Sequence, residues 1–100
     1  MDIKFAQGNQ RLHFQVSGDI DEMGAAELKR QFEQCSLNGI EEVTFNFREV
    51  TYIGSAGLGK LLLFYKKLSS QDIPMRIENP SPMAADIVRE LKLDSLFAIV

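Results

Sequence analysis

The chain has 100 residues, 45% hydrophobic and 25% charged, with a formal net charge of −3 and one cysteine. This predicts a single globular domain over residues 1–100, too small for a catalytic domain with a lid and too acidic for a nucleic-acid-binding face. Cys35 alone offers no disulfide framework or Cys-rich metal site, and no apolar run or signal-like N-terminus departs from a soluble cytoplasmic domain without a membrane partner.

Ile3 and Phe5 predict a short first strand, closed by a turn at Gly8-Asn9. Leu12, Phe14 and Val16 then alternate with Arg11, His13 and Gln15, so a second strand with one buried face completes a hairpin. Gly18-Asp19-Ile20-Asp21 ends that strand, and Asp21 or Asp19 is placed to cap the next element. From about Met23 to Leu37, the residues Ala25, Leu28, Phe32 and Cys35 recur at helical spacing. Gly39 is placed to stop this helix in a left-handed conformation. Val43, Phe45 and Phe47 alternate as a third strand.

A strand-to-helix turn at Gly54–Gly59 leads into a helix reaching about Ser69. Its predicted core stripe is Leu58, Leu61, Leu62, Tyr65 and Leu68, with Lys60, Lys66 and Lys67 in water and Leu63 among the lysines. Met75 and Ile77 mark a short fourth strand. Ser81-Pro82 reads as an N-cap and a first-turn proline, and Ala84, Ile87, Val88 and Leu91 give a third buried helix face. Phe97-Ala98-Ile99-Val100 ends the chain as a last strand. The order β-β-α-β-α-β-α-β predicts an α/β domain with right-handed parallel crossovers and a mixed, mostly parallel sheet carrying an N-terminal β-hairpin.

The most informative segment is Tyr52-Ile53-Gly54-Ser55-Ala56-Gly57-Leu58-Gly59-Lys60. A turn into a helix presents backbone N–H groups to which an anion is welcome. Gly54-x-x-x-x-Gly59-Lys60 matches most of a nucleotide-binding phosphate loop. The next residue breaks the match, because Leu61 stands where a Ser or Thr hydroxyl should hold Mg²⁺.

Taken with the rest of the chain, the segment resembles the STAS domain, the fold of bacterial anti-sigma factor antagonists. Gly18-Asp19-Ile20-Asp21 is similar to the family's Gly-x-Leu/Ile-Asp segment, and Val43–Phe47 to its central strand. Tyr52–Gly59 is similar to its signature turn, which typically reads Asp-Ser-Ser/Thr-Gly-Leu-Gly. Leu91-x-Leu93-Asp94-x-Leu96-Phe97-Ala98-Ile99 is similar to its C-terminal segment. The resemblance implies a non-catalytic partner-switching regulator that binds a serine kinase or anti-sigma-type protein when unphosphorylated. Phosphorylation of the Ser or Thr before Gly-Leu releases the partner, and a PP2C-like phosphatase restores binding. The implied output is a sigma factor, or control of biofilm and exopolysaccharide production.

The chain departs from this pattern at the acceptor, where Ala56 has no hydroxyl. Gly54 stands where Asp is common, and Asn46 where the preceding strand often has Asp. Ala56 is either a natural feature of a constitutive binder or a Ser→Ala substitution that locks the unphosphorylated state; in both cases the domain is expected not to switch at position 56. Many family members continue into a further helix where this chain ends, which would leave a sheet edge or helix-packing surface less covered.

The implied partner surface comprises Asp21, Gly54, Ser55, Ala56, Gly57, Leu58, Lys60 and Leu63. Simpler roles stand beside this one: Ser55 as a helix N-cap, Asp21 as the cap of the first helix, Gly59 in close helix–sheet packing, Leu63 as an isolated exposed leucine. Cys35 is expected to pack and His13 to be solvated. No triad, carboxylate pair or metal cluster is present in the pattern, so no enzyme activity, cofactor or metal is expected. Two alternatives to a switch remain: a nucleotide site at Gly54–Lys60, and a structural interaction domain without a phosphorylation cycle.

Overall fold

The computed structural model describes residues 1–99. Strand β1 (Asp2–Gly8) pairs antiparallel with β2 (Arg11–Ile20), with Gly8 opposite Arg11. The turn is Asn9-Gln10, both left-handed at φ 52° and 64°, the geometry that matches strand twist in a two-residue hairpin. It therefore lies one residue later than Gly8-Asn9. β2 also continues past the expected stop at Gly18. Register shifts at Gln15/Ser17 and Gly18/Asp19, with Gly18 at φ 89°, absorb the irregularity and let pairing run on to Ile20.

Strands β3 (Glu42–Ile53), β4 (Met75–Glu78) and β5 (Ala98–Ile99) add in chain order, each parallel to its predecessor, giving the order β1-β2-β3-β4-β5. Val100, expected in the last strand, lies outside the described residues. Helices α1 (Glu22–Gln34), α2 (Ser55–Ser69) and α3 (Pro82–Glu90) are the crossovers. Each crossover steps one strand in the same direction, so right-handed connections place all three helices on one face.

Burial agrees with this two-layer arrangement. Leu12, Phe14, Val16, Val43, Phe45, Phe47, Met75 and Ile77 are buried beneath the helices. By alternation, Arg11, His13, Gln15, Arg76 and Glu78 line the uncovered face. There His13 is not simply solvated: it is half-buried, and its Nδ1 is hydrogen-bonded to the Thr44 hydroxyl on the neighbouring strand.

Phe14 stacks on Phe45 with ring centroids 4.9 Å apart, and Phe32 of α1 stacks on Phe64 of α2 at 4.0 Å. Phe14 meets Phe32 edge-on at 5.4 Å, joining the helix layer to the sheet. Phe64 is missing from the expected stripe of α2. The observed stripe is Gly57, Leu61, Phe64 and Leu68, with Leu58, Leu62 and Tyr65 half-buried on its flanks.

α1 ends at Gln34 rather than Leu37, because Cys35 is extended. Gly39 is left-handed (φ 77°), but in the turn before β3, not at the helix end. Ser81 caps α3 by accepting from the Ala84 N–H at 3.2 Å, with proline in the first turn as expected. Leu91 lies beyond α3 and is 54% exposed; Leu93, in a 3-10 turn over Leu93–Ser95, is buried instead.

Candidate functional site: the paired helix starts

β2 and β3 end side by side, Ile20 opposite Ile53, so α1 and α2 begin next to each other at the C-terminal ends of these two inner strands. The Gly54 N–H donates to the Ile20 carbonyl at 2.9 Å, tying the two starts together. Asp21 is the N-cap of α1, its carboxylate accepting from the Gly24 N–H at 2.8 Å. Asp19, the other candidate cap, instead accepts from the Thr51 hydroxyl across the strands. Two helix N-termini thus share one shelf, where both dipoles favour negative charge.

The expected turn at Gly54–Gly59 contracts to one residue. Tyr52 and Ile53 belong to β3, Gly54 is the N-cap, and α2 begins at Ser55. The Leu58 N–H already donates to the Gly54 carbonyl at 3.0 Å. Gly59 and Lys60 therefore lie inside the helix, and no extended loop is left to wrap phosphates in the manner of a nucleotide site. Leu61 is 2% exposed and packs in the core, as its place in the pattern predicts.

Ser55 is the first helical residue, exposed, and not the N-cap; Gly54 holds that position and offers no side-chain oxygen. Ala56 follows, half-buried. Gly57 is buried: a Cβ there would stand 2.4 Å from Ile20 Cγ2 and 3.2 Å from the Ile20 carbonyl. Gly57 is thus packed closely against the end of β2, beneath the exposed Ser55. A Cβ on Gly59 would meet nothing within 4 Å, so close packing belongs to Gly57 instead. Leu58 packs half-buried against the core, Lys60 is half-buried, and Leu63 is 61% exposed.

Two neighbours have no individual role in the sequence reading. The Tyr52 ring overlies Gly54, so that a Cβ on Gly54 would meet it at 3.2 Å. Met23, beside Asp21, is 83% exposed, and its only sequence signal is an apolar residue off the buried stripe of α1. Cys35 is buried and donates to the Phe32 carbonyl at 3.2 Å; burial pushes its thiol pKa up, away from the reactive thiolate. Among the described residues, no group of three or more His, Cys, Asp or Glu could hold a metal ion. No helix among them is long and apolar enough to cross a membrane.

The chain belongs to the STAS domain family, whose model matches residues 1–100. Its fold is similar to that of the protein TM1081 of Thermotoga maritima, with a TM-score of 0.87 at 16% identity over 97% of this chain and 84% of that one. An anti-sigma factor antagonist from Mycobacterium paratuberculosis matches at 0.82 and 20% identity, over 98% and 83% of the two chains. The anti-sigma factor antagonist SpoIIAA, a Bacillus cell fate determinant, matches in its unphosphorylated form at 0.78 and 14% identity, over 99% and 87%.

Proposed function

We propose that this domain is a non-catalytic partner-switching regulator, held in its binding state because Ala56 occupies the phosphoacceptor position. The observation that carries this reading is the placement of Ala56. It is the second residue of α2, half-buried, on the shelf where both helices start, and it has no hydroxyl. A phosphate at that position would carry a charge of about −1.5 to −2. The adjacent helix dipoles favour such a charge within its own chain, whereas an apposed protein surface would be repelled or badly desolvated. Such a switch acts on the complex more than on the fold. The fold is similar to that of SpoIIAA in both its phosphorylated (TM-score 0.77) and unphosphorylated (0.78) forms.

The proposed contact surface is Asp21, Gly54, Ser55, Ala56, Leu58, Lys60 and Leu63, with Gly57 as its buried support. The proposed partner is a serine kinase or anti-sigma-type protein, joined by a PP2C-like phosphatase for a phosphorylatable form. The proposed output is a sigma factor or a biofilm and exopolysaccharide pathway. Titration calorimetry of the partner kinase against the chain, Ala56→Ser and Ala56→Glu tests the proposal. The first two should bind alike without ATP, and Ala56→Glu should bind at least about tenfold more weakly. Equal binding by all three would instead indicate an interaction domain without a switch.

A further inference from the structure

We propose that the groove between α1 and α2 docks an acidic amphipathic helix of the partner protein. The proposal rests on the regulatory reading of the α2 start and extends that surface along both helices. Ala56, Lys60, Leu63 and Lys67 recur at the spacing of one helical stripe, so the groove continues from the proposed switch residue. Its floor is the Phe32–Phe64 stack, and Leu63 stands beside it, 61% exposed. At about 190 Å³ it is smaller than the usual small-molecule pocket and better suited to side chains presented by another protein.

Charge selects the kind of helix. On the α1 side, Lys29 and Glu33 pair at 3.9 Å and largely offset each other. On the α2 side, Lys60 and Lys67 flank Leu63, and neither makes an ion pair among the described residues. The chain carries a formal net charge of −3, so two uncompensated lysines around an apolar floor are a local reversal of sign. They are two helical turns apart, about 10 Å along the axis. A helix with acidic residues two turns apart and an apolar residue between them matches both charges and the floor.

The probe is a stapled helical peptide with two glutamates two turns apart around a leucine pair, titrated into the isotope-labelled 100-residue protein and followed by amide shifts. Saturable shifts should be confined to Lys60–Lys67 and Lys29–Glu33, and binding should weaken about tenfold for a lysine-for-glutamate peptide and for Leu63→Glu. Leu63 is exposed, so Leu63→Glu should fold; Lys67→Glu provides a second variant and should also weaken binding. Equal response to both peptides, shifts elsewhere, or indifference to both substitutions would overturn the proposal. So would a preference for phosphatidylserine vesicles over the acidic peptide. A partner kinase that loses Ala56→Glu but binds Leu63→Glu and Lys67→Glu normally would remove the groove and leave the switch standing. The reverse pattern would retain the groove without the switch.

Discussion

Ile20 Cγ2 lies 2.4 Å from where a Cβ on Gly57 would stand, and the Ile20 carbonyl lies 3.2 Å from the same point. Ile20 is fully buried at the end of β2, so it cannot swing aside. Any side chain at position 57 would therefore force the start of α2 and the end of β2 apart. Gly57→Ala should destabilise the fold by about 1–3 kcal/mol through overpacking, partly offset by better helix propensity. Gly59→Ala has open space and should stabilise by up to about 1 kcal/mol. Urea unfolding of the two variants checks this; a Gly57→Ala protein as stable as its parent would contradict the packing.

Asp21 separates a structural from a recognition role. Asp21→Ala removes the oxygen that accepts from the Gly24 N–H and should cost about 1 kcal/mol. Asp21→Asn keeps a capping oxygen and should retain most of that stability. If the carboxylate also meets the partner, Asp21→Asn should weaken kinase binding while its melting temperature stays near the parent value.

Leu63 and Phe64 are consecutive residues with opposite environments, 61% and 3% exposed. Phe64→Ala removes the ring stacked on Phe32 and should cost about 3–5 kcal/mol, a large share of a small domain's total stability. Leu63→Ser should stay within about 0.5 kcal/mol of the parent. Circular dichroism melts of the pair report this contrast directly.

The fold was legible because period-two runs such as Leu12-Phe14-Val16 and the helical spacing of Ala25, Leu28 and Phe32 survive unchanged in the structure. Boundaries were less so. Bulges carry β2 through Gly18, an outcome of strand pairing that local sequence does not encode, and α1 ends early where Cys35 turns extended. Phe64 was missed because Leu61, Leu62 and Tyr65 offer a competing stripe, and contact with Phe32 decides between them. The glycines of the signature segment pointed to a loop, yet Gly57 serves a close contact with Ile20, a partner thirty-seven positions away in the chain. Residue type marked the site; only the register of β2 against β3 shows why its glycine is needed.

Glu27 carries the clearest pH signature. Hydrogen bonds from Arg30 and then Gln31 lower its carboxyl from 4.5 to about 2. A folded value below the unfolded one means that its stabilising contribution is present above the ordinary carboxylate range and lost as pH falls through about 2. Carboxyl-detected NMR should find this midpoint, and Arg30→Ala should raise it toward 4.5. An unchanged midpoint in Arg30→Ala would contradict the assigned cause.

Phosphate mapping after incubation with the partner kinase and ATP tests the central claim most directly. The chain as it stands should take up no phosphate, at Ser55 or elsewhere in α2, and should remain bound to the kinase. The Ala56→Ser variant should be phosphorylated at residue 56 and released. Phosphate on Ser55 of the unaltered chain, or a phosphorylated Ala56→Ser variant that stays bound, would contradict a locked partner-switching domain.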